Sequence, residues 1–451
     1  MHEVKIPRGI KTTIVIFILV ALIGFPAFAE ATPTLQQCDI NEDGTINLSD
    51  FIELSKYMGR EGSPGWIKAD VDKNGVVQVC DMMFVANHFG ESIHQSDTAR
   101  IKKLSIAYSS AMNSQSNQEF MAQHFDMIDC PRTYPTAATY IKSINPNIKI
   151  IGYYDTMIEG RYYDDWNYVN QHEDWFLHDK NGNRVRSAVT TTNYIMNPNS
   201  GWSTYYAQQC RQFLANNPQY DGIFADDVIT DIQEIGMPFT VSYSQIPSSI
   251  FTNWATWMQQ HISRVKTAIG SDLLVPNAWK YTQYCQATTH IHFWEGFIHH
   301  WDKSYNDNHY SIDQIHYAID TLHAQAVRGN TIIVNSGCAN ADSHPVEAKR
   351  WALFCYACLS FAAVDVTKTY FSWNFFVDDS SHGWYPEMDI VLGQPIGDYY
   401  RVTGTSYVYA REFSNYYVAA NLNLLGTGTV SFTINGVRRT LAPRSAIFIE
   451  K

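Results

Sequence analysis

The sequence is poor in charged residues, which make up only 17% of its 451 positions. It has no Lys/Arg-rich run, and its 44 acidic residues outnumber its 32 basic ones, giving a net charge of -12. A protein that binds a polyanion needs a positive patch, so nucleic acid is not expected as a partner. Aromatic residues reach 14%, a balance that favours ligands with flat apolar faces, such as sugar rings.

Cysteine is scarce and scattered as well. The spacing of the eight cysteines is not that of a small disulfide scaffold. Cys355 and Cys358 form a C-x-x-C pair, but they lie inside the apolar, helix-like run from Trp351 to Val364. We therefore interpret them as core thiols and not as a redox or metal site.

The N-terminus has the layout of a cleavable signal peptide. A basic start is followed by an apolar run from Ile14 to Phe25 and by Ala27-Phe28-Ala29 before Glu30. The alternative is an uncleaved anchor, but the apolar run is shorter than the roughly 20 residues that a membrane-spanning helix needs. Residues 1–29 are thus predicted to direct secretion and to be removed, leaving no stable membrane span.

Two twelve-residue segments, 39–50 and 70–81, repeat each other at an offset of 31 residues. Each has oxygen-bearing side chains at loop positions 1, 3, 5 and 12, and Ca²⁺ requires six to eight oxygen ligands. Gly44 and Gly75 stand at position 6, where the chain must turn sharply around the ion. The doubled spacing predicts a pair of calcium loops. The alternative is a pair of acidic turns without metal.

Each loop precedes one amphipathic helix, no entering helix is evident, and position 12 is Asp in both loops. This combination resembles a type I dockerin over residues 36–92, a small all-α module that plugs secreted enzymes into cohesin domains of a scaffold protein. The resemblance implies two Ca²⁺ ions. The ligands of the first ion would be Asp39, Asn41, Asp43, Asn47 and Asp50. Those of the second would be Asp70, Asp72, Asn74, Gln78 and Asp81. Gln78 would act through water. The cohesin would be read by Leu48, Ser49, Val79 and Cys80.

Residues 100–393 alternate short apolar runs with longer helix-like segments, which predicts a (β/α)8 TIM barrel with one long insertion. The eight candidate strands are Leu104–Tyr108, Met127–Cys130, Ile148–Tyr154, Gly222–Ala225, Leu273–Pro276, Ile291–Trp294, Ile332–Val334 and Tyr370–Trp373. Residues 397–451 alternate in polarity and are rich in turns, which predicts a small antiparallel β-sandwich. This layout resembles the domain that follows the barrel in amylase-like enzymes.

In such barrels the chemistry lies at the carboxyl ends of the strands. Carboxylates, amides and indoles follow the apolar runs here, without a serine elbow, a phosphate-binding glycine loop or a zinc-binding His pair. Cleavage of a glycosidic bond needs two carboxyl groups, and indoles can stack on sugar rings. The sequence therefore predicts sugar chemistry without a catalytic cofactor. The predicted substrate-binding residues are Asp155, Trp175, Asn277, Trp279, Trp294, Asn335 and Trp373, although barrel indoles are as often core residues.

The segment from Tyr220 to Val228 resembles the fourth-strand nucleophile motif of TIM-barrel glycosidases, including the dextranases. The Asp six residues after the aromatic residue attacks the sugar in that motif, so the resemblance implies that Asp226 is the nucleophile. Glu295, which ends a strand two steps further round the barrel, is the expected general acid/base. Adjacent strand residues point to opposite sides, so Asp227 is the alternative nucleophile. Glu295 could instead be the structural partner of a barrel Arg or Lys.

Further short motifs resemble hypothetical glycosyl hydrolase family 15 over most of residues 100–451. They are Trp175 with His178-Asp179, Asn197-Pro198, Tyr385-Pro386-Glu387-Met388-Asp389 and Gly393-Gln394-Pro395. The resemblance implies an extracellular glycoside hydrolase that acts on a polysaccharide or oligosaccharide and can assemble at a cell surface through its dockerin. Retention of anomeric configuration is expected, with inversion still open. The alternative is a non-catalytic, dockerin-borne polysaccharide-binding protein on the same scaffold.

Overall fold

The computed structural model describes residues 33, 35–41, 46–63, 65–89, 99–187, 192–228, 241–278, 288–307, 310–376, 383–426 and 428–451. The predicted signal peptide, residues 1–29, lies outside these ranges. The chain divides into two compact units, Met1–Ala99 and Arg100–Lys451. None of the helices in the described ranges combines the length and apolar character needed to cross a membrane.

The core of the first unit follows the repeat found in the sequence. Its helices are α1 (Leu35–Cys38), α2 (Leu48–Ser55) and α3 (Val79–Asn87). Residues 31 positions apart are buried as pairs, and these pairs are Cys38 and Ala69, Ile40 and Val71, Ile46 and Val77, and Leu54 and Val85. Helices α2 and α3 each follow one loop, and residues 65–78 before α3 contain no helix. In the described residues before the first loop, the one helix is the four-residue α1.

The second unit is built on an eight-stranded parallel sheet. Its strands are β1 (Lys102–Ile106), β2 (Met127–Pro131), β3 (Lys149–Asp155), β6 (Gly222–Asp226), β7 (Leu273–Pro276), β8 (Ile291–Glu295), β9 (Thr331–Ser336) and β10 (Thr369–Trp373). They are ordered β7-β6-β3-β2-β1-β10-β9-β8. A parallel bridge between Asn277 and Phe293 brings the two ends together, so the sheet forms a nearly closed barrel. The predicted TIM barrel is confirmed, with the first strand two residues earlier than expected.

Strand alternation divides the barrel residues into an inner and an outer layer. Ile151, Phe224 and Phe293 belong to the cluster inside the barrel, whereas Ile150 and Ile223 pack in the cluster beneath the helices. Gly222 lets two strands approach closely, because a Cβ there would lie 2.2 Å from the carbonyl oxygen of Leu273. Because Phe224 and Phe293 face the barrel interior, the residues two positions later on β6 and β8 face it as well.

Helices cover the outside of the sheet. They are α4 (Ser109–Met112), α5 (Gln115–His124), α6 (Pro135–Ile144), α7 (Trp166–Val169), α8 (Gly201–Asn216), α9 (Ser248–Ile269), α10 (Ile312–Val327) and α11 (Pro345–Ala362). The long insertion follows β3 and contains the short antiparallel pair β4 (Ile158–Glu159) and β5 (Tyr194–Ile195). This insertion lies beside the carboxyl end of β3.

The C-terminal part of the second unit is antiparallel, as predicted. A four-stranded sheet has the order β11 (Pro395–Arg401), β12 (Val408–Phe413), β13 (Tyr416–Asn421) and β16 (Ser445–Glu450), and a hairpin is formed by β14 (Val430–Ile434) and β15 (Val437–Leu441). Arg411 is buried and donates hydrogen bonds of 3.0, 2.7 and 2.6 Å to the carbonyl oxygens of Ser360, Phe361 and Ala363. It thus satisfies the carboxyl end of α11 and ties this sheet to the barrel.

Candidate active site and calcium loops

Asp226 and Glu295 both point into the barrel at its carboxyl end. Phe224 and Phe293, two residues earlier on β6 and β8, are inner-core residues, so Asp226 and Glu295 have the same orientation. Asp227 lies just beyond β6 with a φ of 54°, in the left-handed region that non-glycine residues rarely adopt. Strand alternation therefore turns Asp226 into the barrel, whereas Asp227 lies beyond the strand in a different backbone conformation and close to the same acids.

A single amide links the two carboxyl groups. Nδ2 of Asn277, just after β7, donates to Oδ1 of Asp226 at 2.8 Å and to Oε2 of Glu295 at 2.7 Å. The two acceptor oxygens share one nitrogen, so they cannot be farther apart than the sum of these distances, about 5.5 Å. Oδ1 of Asn277 is buried and has no hydrogen-bond partner in the structure.

Each carboxyl group also accepts a hydrogen bond from an aromatic side chain. The hydroxyl of Tyr153 donates to Oδ2 of Asp226 at 2.7 Å, and the indole nitrogen of Trp301 donates to Oε1 of Glu295 at 2.7 Å. The backbone N–H of Asp227 donates to Oδ1 of Asp226 at 3.0 Å. Both carboxyl groups are thus held in fixed orientations by neutral donors.

The surroundings of Glu295 favour its protonated form. Burial raises the pKa of Glu295, and the negative charge of Asp226 adds to this effect. The hydrogen bonds from Asn277 and Trp301 act in the opposite direction but do not cancel the rise. A carboxyl group with a raised pKa is what protonation of a leaving oxygen requires.

Three further carboxyl groups surround this pair. Burial and the charge of Asp226 raise the pKa values of Asp155 and Asp129 well above the usual range, and burial and the charge of Asp155 do the same for Asp227. The charge of Asp155 adds to the effect of burial on Asp227, so these two carboxyl groups are close enough to repel each other. Oδ1 of Asp155 also accepts the backbone N–H groups of Met157 and Ile158. These bonds give Asp155 a local structural role in addition to its predicted contact with substrate.

Asp129 was not among the residues predicted from sequence. It lies on β2 with only 2% of its surface exposed, and its Oδ1 has no hydrogen-bond partner. The available signal was an acid inside the apolar run Met127-Ile128-Asp129-Cys130, two positions after the inward-facing Met127. A charged group at an inward position near the carboxyl end of a barrel strand is a reason to include it in the site.

The other predicted substrate-binding residues have different surroundings. Asn335 is fully buried and donates to the hydroxyl of Ser372 at 3.0 Å, which ties β9 to β10. Only small fractions of three predicted indole platforms are exposed; these are Trp175 at 7%, Trp294 at 3% and Trp373 at 2%. Their rings pack in the interior, and their predicted stacking role gains no support from this burial. Trp279 lies outside the described residues.

Sequence reasoning missed an exposed aromatic rim beside the carboxyl pair. Trp301 and Tyr108 are 36% and 49% exposed. The ring of Phe375 lies 5.1 Å from the ring of Trp301 and 5.3 Å from that of Tyr108, measured between centroids. The charges of Glu295 and Asp226 contribute to raising the pKa of Tyr108, after burial, so the rim is close to both acids. Trp301, Phe375 and Tyr108 follow β8, β10 and β1, respectively. In the sequence, this position after a barrel strand is the one feature that could have identified them.

The two calcium loops of the first unit share one hydrogen-bond pattern. Oδ1 of Asp50 accepts the N–H groups of Ile40 and Asn41, and its Oδ2 accepts that of Asn47. Asp81 accepts the N–H groups of the three residues 31 positions later, Val71, Asp72 and Gln78. Asp43 and Gly44 of the first loop lie outside the described residues.

The second loop has a donor set that fits a hard cation. Carboxylate oxygens of Asp70, Asp72 and Asp81 lie within 4.8 Å of one another, and oxygen is the ligand atom that Ca²⁺ prefers. Oδ1 of Asp70 is buried without a hydrogen-bond partner. Burial raises the pKa values of Asp72 and Asp81, and the neighbouring carboxylates add to the rise. A bound cation would relieve this repulsion and engage the free oxygen of Asp70.

Comparison with known proteins gives two family matches. Residues 37–105 match the type I dockerin domain, and residues 142–416 match hypothetical glycosyl hydrolase family 15. Type I dockerin domains bind calcium, and their presence implies a cohesin partner. No curated protein matches this chain.

Several solved structures are similar at low identity. The glycoside hydrolase domain of PelA from Pseudomonas aeruginosa is 12% identical, and the match covers 64% of this chain and 97% of that one with a TM-score of 0.43. An α-amylase from Geobacillus thermoleovorans is 10% identical over 77% of this chain and 98% of its own, with a TM-score of 0.45. The maltogenic α-amylase AmyB from Thermotoga neapolitana is 12% identical over 77% and 96%, with a TM-score of 0.46.

Proposed function

This chain belongs to hypothetical glycosyl hydrolase family 15, and we propose that its barrel hydrolyses glycosidic bonds of a polysaccharide or oligosaccharide. The observation that carries the proposal is the bridge from Asn277 to both Asp226 and Glu295. Two carboxyl groups held by one donor at the carboxyl end of a barrel form the minimum apparatus for this reaction.

The proposed mechanism retains the anomeric configuration. Retaining enzymes have carboxyl groups about 5–5.5 Å apart, and inverting enzymes leave room for water at about 6.5–9.5 Å. The bridged oxygens of Asp226 and Glu295 are at most about 5.5 Å apart, and this closeness supports the retaining proposal.

In the first step a carboxylate oxygen of Asp226 forms a bond to the anomeric carbon while the bond from that carbon to the leaving oxygen breaks. Glu295 gives its proton to the leaving oxygen. In the second step a water oxygen attacks the anomeric carbon, Glu295 takes the proton of that water, and Asp226 leaves as a carboxylate. The raised pKa of Glu295 suits the first step.

The aromatic rim of Trp301, Phe375 and Tyr108 supplies a platform for the sugar ring next to the scissile bond. Trp301 contributes both an exposed ring and the hydrogen bond to Glu295. Stacking on this ring would bring the leaving oxygen close to the acid. The buried Trp294 and Trp373 have no comparable exposed surface.

The test begins with a reducing-sugar screen across plant, microbial and storage glycans, followed by Asp226→Asn and Glu295→Gln. Each variant is expected to lose most of the activity, while the exposed Asp313→Asn serves as a matched control. Proton NMR of the first-formed product should show the anomer of the substrate. If both variants keep the wild-type rate, the site assignment is wrong. If the wild type binds a glycan without cleaving it, the protein is a binding module.

The dockerin extends the proposal to assembly and export. We expect the signal peptide to direct secretion, the two loops to hold two Ca²⁺ ions, and the exposed residues Leu48, Ser49, Val79 and Cys80 to contact a cohesin. Calorimetry on the whole chain should count two ions, and Asp81→Ala should lower the count to one. A count below two for the wild type would contradict the proposed ligand sets.

A further inference from the structure

A cavity lies beside the carboxyl pair. Its volume is about 210 Å³, and it is lined by the ends of β2 and β3, by the insertion after β3 and by α8. Tyr153 and Asp155 form the wall nearest the candidate active site. The hydroxyl of Tyr153 donates a hydrogen bond to Asp226, and burial and the charge of Asp226 raise the pKa of Asp155. The cavity is therefore next to the proposed nucleophile.

The cavity is lined by charged groups, and the fold leaves one of their oxygens without a partner. The guanidinium of Arg132 lies 4.3 Å from the ring centroid of Tyr154; burial acts to lower its pKa, but Tyr154, Asp165 and Glu159 together raise it. Glu159 is only 4% exposed, and its Oε1 accepts the backbone N–H of Gly160 at 3.0 Å. Oδ1 of Asp165 is buried without a hydrogen-bond partner, while its Oδ2 accepts the hydroxyl of Tyr205 at 2.8 Å. Burying such an oxygen without a partner is costly, so a ligand that donates a hydrogen bond to it would be favoured.

The remaining walls are aromatic. The rings of Tyr154, Tyr163, Trp202 and Tyr206 line the cavity, and the side chain of Tyr162 lies at its edge with 81% of its surface exposed. An apolar lining with a few convergent polar groups is the usual composition of a small-ligand site.

We propose that this cavity is a subsite for one neutral hexose unit of the substrate, adjoining the unit that Asp226 attacks. The proposal rests on the proposed hydrolase function and deepens it by naming the class of sugar. Arg132 would donate to ring hydroxyls, Asp165 would accept from them, and Tyr162 would cover one face of the ring.

Charges of both signs line the cavity and already act on one another, so a neutral unit fits them best. A carboxylate that reached Arg132 would also meet Asp155 and Asp165, and an ammonium group that reached Asp165 would also meet Arg132. Burial raises the pKa of Glu159 to about 8, with the charge of Asp165 adding to the rise, so Glu159 is largely protonated at neutral pH and can donate to a hydroxyl. The positive charge of Arg132 is then opposed mainly by Asp165 and the exposed Asp164.

The binding test uses free sugars with the Asp226→Asn chain, which separates binding from catalysis. Saturation-transfer NMR is recorded with glucose, galactose and mannose as neutral probes, and with glucuronate and glucosamine as charged ones. We expect at least one neutral hexose to bind, and Arg132→Ala and Glu159→Ala each to weaken it at least tenfold. Arg161→Ala is the matched control, because Arg161 is exposed on the same insertion and does not line the cavity. Stronger binding of a charged sugar, or unchanged binding in both cavity variants, would overturn the proposal.

The kinetic test uses oligosaccharides of the glycan that the wild type cleaves. Arg132→Ala should raise KM at least tenfold with little change in kcat, and the circular dichroism spectrum should stay that of the wild type. If the wild type cleaves the glycan and Arg132→Ala leaves KM unchanged, the subsite is refuted while the hydrolase function stands. If no glycan is cleaved but a neutral hexose binds in an Arg132-dependent manner, the hydrolase function fails while the subsite stands.

Discussion

Acidic residues lie at both the amino and the carboxyl ends of strands β2 and β6, but the charged groups around them differ between the two ends of the barrel. Asp126 and Asp221 directly precede β2 and β6, while Asp129 and Asp226 lie on those strands towards their carboxyl ends. Burial acts to raise the pKa of Asp126, but the charges of Arg100 and Lys103 outweigh it and hold the pKa well below its usual range. In the described part of the chain no such cation acts on the buried Asp129, and burial and the charge of Asp226 raise its pKa instead.

At the amino end of the barrel, each of these acids accepts hydrogen bonds from cationic side chains. Arg100 donates two hydrogen bonds to Asp126, at 2.8 and 2.9 Å. Asp221 accepts from the ammonium groups of Lys142 at 2.7 Å and Lys149 at 3.0 Å. The motif residue Asp389 likewise pairs with Lys103 of β1. These acids stabilise the fold because their charges are matched where the strands begin.

At the carboxyl end the acids face neutral donors and one another. Asp226 and Glu295 are held by an amide, a phenol and an indole, without a cation among their hydrogen-bond partners in the described residues. Such an arrangement raises the pKa of Glu295, and a raised pKa is what protonation of the leaving oxygen needs. The contrast indicates that the amino end serves stability and the carboxyl end serves chemistry.

The largest effect is expected on kcat from a change at Asp226, and a change at Asp221, five residues earlier, is the comparison. Asp226→Asn should lower kcat on the order of 10⁴-fold or more, with no loss of thermal stability, because it removes a charge from a cluster of like charges. Asp221→Asn should lower the free energy of unfolding by about 1–3 kcal/mol and leave kcat unchanged, since Lys142 and Lys149 lose their shared partner. Urea unfolding and steady-state kinetics on both variants check this. The opposite assignment of effects would break the contrast between the two ends.

Removal of the bridging amide of Asn277 should have the next largest effect on kcat. Asn277→Ala is expected to lower kcat about 10²-fold, because the two carboxyl groups lose their common donor. The hydrogen bond from Asn277 lowers the pKa of Glu295, so its loss should raise that pKa further. The alkaline limb of the pH profile of kcat/KM should then move to higher pH. A limb that stays in place would show that Asn277 does not act on the proton of Glu295.

The pH dependence of unfolding should reveal the stabilising role of Asp126 at the amino end of the barrel. Its pKa in the folded state is lowered, so its contribution to stability is present above the unfolded-state value of about 3.9 and is lost as the pH falls below it. Asp126→Asn should cost about 3 kcal/mol at pH 7, because the mostly buried Arg100 loses its partner. The difference between wild type and variant should shrink towards pH 2. A constant difference across this range would contradict the electrostatic explanation.

The aromatic rim should give a smaller effect. Trp301→Ala is expected to raise KM roughly 3- to 10-fold through lost stacking, and to lower kcat because Glu295 loses a hydrogen bond. Trp301→Phe should restore most of KM but not kcat, since phenylalanine provides a ring without an indole N–H. Equal recovery of both constants would remove the proposed link between Trp301 and the acid.

The smallest effect concerns the two lysines on Asp221. Lys142 is 21% exposed at its side chain and Lys149 is 49% exposed. Lys149→Ala should change the free energy of unfolding by less than about 1 kcal/mol, as exposed ion pairs usually do. Lys142→Ala should cost more, because its ammonium group also donates to the carbonyl oxygen of Ile148. Chemical denaturation of the two variants measures the difference.

The sequence by itself determined the dockerin repeat, the eight barrel strands and the acids at their ends. Each is a local pattern: a 31-residue offset in loop ligands and core residues, short apolar runs, and polar residues directly after them. Calcium ligation and strand formation depend on residues close together in the chain, so spacing alone carries the information.

Only the tertiary structure decided how these acids are used. It turned Asp226 inwards, placed Asn277 between Asp226 and Glu295, and buried Trp294 while leaving Trp301 exposed. These relations join residues from different strands and loops, and they depend on the register and closure of the sheet. The pKa directions follow from the same source, because burial and the proximity of charges are properties of the packed barrel and not of any segment alone.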